Sequence, residues 1–307
     1  MENPDRPARR GWQTNRAYLF MLASALSFAV MGALGHLAGG RCDWHLVAFA
    51  RSSVAFLLTL ALSLLAGVRL VLFRPATLWM RSVAGSFGVL FAFYALTHLP
   101  VSTALTLSNT VPVWVTLLAW PVLGHRPVAS VWVAVAAGLV GIVLIQRPEA
   151  GGDRLAAMLA LANAFSTSVS MIGLNRLGGV VDARAVVTHF SGVATVFTLL
   201  FLLPASNSID YAPLKDAGTH TLLFGVGCAA TVGQLAMTKA FALGSPSRVS
   251  VVGLMQIVFA LVFDLLFWRR AFGPLVVLGM ALVLAPSAWL MLRSPLRRQT
   301  AAVHTTG

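Results

Sequence analysis

Apolar runs of about twenty residues recur from one end of this chain to the other, separated by short segments carrying Gly, Pro or Arg. A run of that length spans a hydrocarbon core of about 30 Å as a helix. With no water in that core, every backbone polar group has to be satisfied within the segment, so runs of this kind fold as membrane-crossing helices. Composition agrees. The 307 residues are 58% hydrophobic and 10% charged, where a soluble domain carries about 25% charged residues.

Ten spans are expected, at about 17–38, 45–66, 76–97, 101–123, 128–146, 154–174, 183–203, 219–243, 246–268 and 272–292. The first apolar stretch is too long for the 7–15-residue core of a signal peptide, roughly speaking, and is read as a mature helix. Lys and Arg fix the orientation. With the N-terminus inside, thirteen fall on the cytoplasmic side, from Arg6 to Arg298. Six fall opposite: Arg41, Arg147, Arg154, Lys215, Arg269 and Arg270. Both termini are expected in the cytoplasm, and the location is the cell (inner or plasma) membrane. The net charge of +13 is spread over span edges rather than gathered in one domain, so nucleic-acid binding is not indicated. Cys42 and Cys228 stand far apart without CxxC spacing, and no histidine cluster accompanies them, so neither a metal nor a cofactor is expected.

The chain also repeats itself. YALTHLPVSTALTLSNTVPVWVTLLAWPVLGHRP (94–127) aligns without gaps on KAFALGSPSRVSVVGLMQIVFALVFDLLFWRRAF (239–272), at an offset of 145. AFARSSVAFLLTLALSLLAG (48–67) aligns on VVTHFSGVATVFTLLFLLPA (186–205) at 138. Five spans is an odd number, so the second copy enters the membrane from the opposite side. The expected fold is an all-α integral membrane protein of ten transmembrane helices in two inverted five-helix repeats. Tails at 1–16 and 293–307 flank repeats at 17–146 and 154–292. Inverted repeats are typical of secondary transporters, with the cargo site near the bilayer midplane between the copies.

ALTHLPVSTALTLSNTVPVWVTLLAWPVLGHRP and AFALGSPSRVSVVGLMQIVFALVFDLLFWRR resemble the two diagnostic stretches of the EamA-domain members of the drug/metabolite transporter superfamily. Each has a short A-L-x-x-L end, a small-residue helix start and a long aromatic-bearing helix. The resemblance spans 17–292. It implies ten helices, cytoplasmic termini and movement of small metabolites, often amino acids, by export or exchange. The family commonly carries a glutamate just after the fourth and ninth helices, where this chain has His125 and Arg270. A role for those glutamates is not carried over.

A midplane site needs polar side chains. Ser27, Asn109, Asn163, Gln234 and Gln256 lie near span centres and are the candidate substrate-binding residues. Thr103, Thr106 and Asn109 form one stripe, and Pro112 then removes a backbone donor, freeing a carbonyl for a water-filled cavity. Each could instead be interhelical glue, worth about 0.6 kcal/mol. Four ionisable residues are candidates for gating or proton coupling: Arg51, His189, Lys239 and Asp264. Arg51 and His189 occupy matching places in the repeat. Asp264 shares the outer third with Arg51, and the two are expected to meet as an outer gate pair, unless Arg269 and Arg270 neutralise the acid. Lys239 and Arg81, near helix ends, are expected to snorkel.

The expected partners are a small polar metabolite, such as an amino acid or organic anion, and membrane lipid; a homodimer is left open. A channel or non-transporting multipass protein is the alternative. A membrane enzyme is disfavoured, because HExxH, paired carboxylates and GxSxG are missing from the sequence.

Overall fold

The computed structural model describes residues 6–99, 101–124, 126–147, 153–268 and 273–292. Their secondary structure is helical throughout. The first half holds α1 (Arg6–Gly39), α2 (Trp44–Leu65), α3 (Ala76–His98), α4 (Val101–Ser108), α5 (Val111–Leu123) and α6 (Ala129–Gln146). The second holds α7 (Arg154–Leu177), α8 (Ala183–Ala205), α9 (Ala217–Leu243), α10 (Pro246–Gly253), α11 (Met255–Trp268) and α12 (Pro274–Leu292). Among the described residues, nine segments are long and apolar enough to cross a membrane, with α4–α5 and α10–α11 each forming one crossing. The apolar part of α3, Ala76–Ala92, is the shorter tenth. The outward faces are apolar too: Leu65, Val133, Met158 and Leu200 all stand exposed. Helices apolar on every side belong in lipid. The chain is an integral membrane protein.

Aspartates start four of these helices. Asp43, Asp153, Asp182 and Asp216 accept from the backbone N–H of His45, Leu155, Arg184 and Thr219, at the N-termini of α2, α7, α8 and α9. Such a cap satisfies a donor that the helix leaves orphaned. Backbone N–H groups of Gly218 and Thr219 hold the Asp216 carboxyl below its usual range. This cap is therefore complete above about pH 4 and is lost as pH falls through the lowered value.

The two halves interlock as an inverted pair. α1 lies along α9 and α3 along α7; α2 packs on α8, and α6 on α12. Exchanging the halves (α1 for α7, α2 for α8, and so on) turns each of these pairings into another member of the set. Several smaller pairings depart from this symmetry, α7 on α9 among them, and one departure falls at the middle of the fourth and ninth crossings. α10 packs against α5, yet the symmetry-related α4 and α11 make no comparable contact. Below α5 and α10, Val113, Val131, Val251 and Leu290 join α5, α6, α10 and α12 in one apolar seal.

Candidate functional site

Two crossings expected as continuous helices are broken. The fourth breaks at Asn109–Thr110, between α4 and α5, and the ninth at Leu254, between α10 and α11. At the 145 offset Asn109 aligns with Leu254, so the breaks occupy matching positions in the two repeats. Locally the ladder shortens to three-residue bonds: Thr110 N–H to Leu107 O at 3.2 Å, and Leu254 N–H to Val251 O at 3.1 Å. Neighbouring helices satisfy the backbone around each break. Ser168 of α7 donates to Val111 O at 3.2 Å, and Ser287 of α12 donates to Val251 O at 3.4 Å. Irregular backbone at membrane depth is tolerated where protein or a wet cavity surrounds it.

A cavity of about 550 Å³ opens where α4 and α11 stand apart, within the 300–1,000 Å³ that small-molecule sites usually occupy, roughly. Both repeats line it: Phe28, Gly32 and His36 of α1, Leu105 of α4, Asn109 at the break, Gln146 of α6, and Gln256, Ala260 and Phe263 of α11. Asn109 Nδ2 donates to Leu105 O at 2.8 Å, and among the described residues its side-chain carbonyl has no partner. Gln256 is exposed to the cavity. Since α4 begins and α11 ends on the face opposite the N-terminus, the cavity lies toward that face and the apolar seal toward the other.

The remaining polar candidates are elsewhere. Ser27 donates to Ala229 O on α9 at 2.8 Å. Asn163 Oδ1 accepts from Thr167 within α7 at 3.2 Å. Gln234 Oε1 accepts from Arg81 Nη2 at 3.0 Å. All three join helices or turns and do not line the large cavity.

The charged candidates separate likewise. Arg51 lines a small cavity with Phe190 of α8 and Gln234 of α9. His189 is tied through Nδ1 to Ser82 Oγ at 2.8 Å and through Nε2 to Leu72 O at 3.2 Å, with the Trp79 ring edge-on at 4.7 Å. Lys239 is exposed in a recess of about 240 Å³ on the N-terminal face, beside Arg16, its Nζ 5.4 Å from the Phe20 ring. Asp264 sits on α11, and its side chain, with His125, Arg269 and Arg270, lies outside the described residues. α2 packs on α8 and α9, whereas α11 packs on α1 and α12. The expected meeting of Arg51 with Asp264 thus falls on a side chain outside the described residues.

Arg81 needs a plain correction. Expected to snorkel, it is instead 1% exposed. The start of α3 is covered by α7 and α8, so proximity to a helix end gives no route to water. Its guanidinium lies over the Phe190 ring, Cζ 3.7 Å from the centroid.

Broken helices around a cavity shared by inverted repeats recur in secondary transporters. Comparison with known proteins decides the family: the EamA-like transporter family matches twice, over residues 15–147 and 154–292. The chain belongs to the EamA-like transporter family. Relatives with functional names are among the matches. A pseudopaline exporter, CntI, of Pseudomonas aeruginosa is 27% identical over 266 residues, covering 86% of this chain and 92% of the relative. A riboflavin transporter of Rhizobium johnstonii is 27% identical over 222 residues, 71% of this chain and 70% of that one. A solved crystal structure matches with a TM-score of 0.79 at 19% identity, over 93% of this chain and 99% of that chain, which shows a shared fold. This EamA-family protein is thus a transporter of small metabolites.

Proposed function

We propose that this EamA-family chain is a secondary transporter, exporting or exchanging a small polar metabolite that bears a carboxylate, by alternating access across the cell membrane with both termini in the cytoplasm. The observation that carries the reading is the asymmetry at the matched breaks. α5 and α10 are closed on each other while α4 and α11 stand apart. In an inverted repeat the alternative state is the same arrangement with the halves exchanged, which closes α4 on α11 and opens α5 from α10. The structure would then be the outward-facing state, with Asn109 and Gln256 presented to the cargo. Cations on the transport route suit a carboxylate, since Arg16 and Lys239 line a recess on the N-terminal face. A named exporter among the relatives supports export.

Thermal-shift screening of the purified protein against amino acids, nucleosides, cofactors and organic anions selects the cargo. Proteoliposomes preloaded with that compound should then take up its labelled form transiently above equilibrium, with saturation. Flux that rises linearly with concentration and ignores preloading would mean a channel. Asp264, the acid within a span, is the proposed proton site. Asp264→Asn is expected to keep counterflow at equal pH but to abolish uptake driven by a pH gradient. Retention of gradient-driven uptake would dismiss the residue from coupling.

A further inference from the structure

Among the described residues, those lining the large cavity include no Lys, Arg, Asp or Glu. Its polar side chains are three amides, Asn109, Gln146 and Gln256, and the His36 imidazole. Asn109 and Gln256 lie at the depth of the breaks, Gln146 and His36 nearer the outer ends of α6 and α1. The amides differ from other polar groups in the spans. Ser27, Asn163 and Gln234 each bond inside the protein. Gln146 and Gln256 make no hydrogen bond among the described residues, and Asn109 commits one N–H to Leu105 O. Polar side chains within a membrane ordinarily bond across helices. Three amides left open on one cavity call for a partner from outside the fold.

The chemistry of that partner follows from what an amide offers. A carboxylate only accepts hydrogen bonds and an ammonium only donates, so either would leave half of each amide unused. A lactam or ureide edge sets N–H beside C=O in one ring. It meets a side-chain amide with two bonds, N–H to carbonyl and carbonyl to N–H. The apolar lining suits the ring itself. Phe28 and Phe263 bring aromatic surfaces, against which a flat ring stacks or stands edge-on. Gly32 leaves room, since a Cβ there would meet nothing within 4 Å. The Phe28 ring is seated on α9, where a Cβ at Gly233 would lie 2.7 Å from its Cε1. Burying a charge without a counter-charge costs far more than burying a group that is hydrogen-bonded. The carboxylate of the cargo therefore answers to Arg16 and Lys239 on the N-terminal face and stays at the mouth of this cavity.

We propose that the cavity recognises an uncharged, flat ring with a lactam or ureide edge, of the pyrimidinedione kind. Asn109 and Gln256 are the pairing amides, and Gln146 is a further specificity-determining residue. The inference rests on the transporter reading and narrows its cargo to a heterocycle that carries its carboxylate outside the ring.

The test uses purified full-length protein in non-ionic detergent, with uracil, orotate, 1,3-dimethyluracil and benzoate as probes, read by thermal shift and by calorimetric titration. Uracil and orotate are expected to raise the melting temperature saturably, by about 2–4 °C at concentrations many times the dissociation constant. 1,3-Dimethyluracil keeps the ring and both carbonyls but has no N–H. Benzoate keeps a carboxylate without the edge. Each is expected to bind at least about tenfold more weakly than uracil. Gln146→Leu is expected to weaken uracil about tenfold without lowering the melting temperature of the free protein, since Gln146 holds nothing together. Equal binding of uracil and 1,3-dimethyluracil overturns the proposal, as does benzoate binding tightest, or no binding of uracil and orotate at their solubility limits. Counterflow in proteoliposomes separates this inference from the reading beneath it. Pyrimidinediones that bind without saturable counterflow would leave the site and remove the transport. Counterflow of another compound, abolished by Gln256→Leu while no pyrimidinedione binds, would leave the transport and remove the ring.

Discussion

Replacing Asn109 and Gln256 together by leucine is expected to cut saturable counterflow by about a hundredfold or more while folded protein accumulates in the membrane as before. The size follows from counting bonds. Each amide that meets a polar group of the cargo in a water-poor site contributes about 1–2 kcal/mol, and a factor of ten corresponds to about 1.4 kcal/mol. Folding is spared because neither side chain holds helices together. Gln256 faces the cavity, and Asn109 bonds the carbonyl of Leu105 one turn before it in the same crossing. Counterflow in proteoliposomes, read beside a thermal melt of the same preparation, checks both halves. Unchanged KM and maximal rate would remove this cavity from the transport route. Each single variant should lose about tenfold, since the two residues come from the fourth and ninth crossings and line one space.

Much of this arrangement was readable from the sequence because the membrane leaves few options. Ten apolar runs and the 145-residue offset carry the inverted duplication without reference to packing. The break in the fourth crossing was partly visible, through the polar stripe ending at Asn109 and the proline at 112. Its partner was not, since MQIV after Leu254 carries no proline, and only transferring the first break through the offset would have found it. Rotation about the helix axis decided the rest. Ser27, Asn163 and Gln234 look as central in the sequence as Gln256 does, yet Ser27 turns to the Ala229 carbonyl and Gln234 to Arg81. A run apolar on all sides gives no face to orient by, so glue and site residues read alike. Arg81 was misread for a related reason. Distance from a helix end measures depth, but whether a side chain reaches water depends on which helices cover that end, and α7 and α8 cover it.

Gly141→Leu or Gly279→Leu is expected to eliminate most folded protein, and the alanine variants to lose about 1–3 kcal/mol of stability. These glycines face each other where the fifth helices of the two repeats, α6 and α12, run side by side. A Cβ on Gly141 would sit 2.7 Å from the carbonyl oxygen of Gly279, and one on Gly279 would sit 2.6 Å from that of Gly141. Those contacts are to backbone, so no rotamer change relieves them and the helices have to move apart. Lipid tails are as apolar as leucine, and close backbone approach through small residues is what holds such helices together. Separating α6 from α12 would also disturb the cluster of Ile142, Ile145, Leu254 and Val283 that packs beside the ninth-span break. Gly35 in α1 is the control, since a Cβ there meets nothing within 4 Å. Gly35→Ala should hold or raise the melting temperature, because alanine in a helix interior is favoured over glycine by about 0.5–1 kcal/mol. Monodisperse yield in detergent and the melting midpoint distinguish the two classes. Equal behaviour of Gly141→Ala and Gly35→Ala would mean that α6 and α12 are not in close contact.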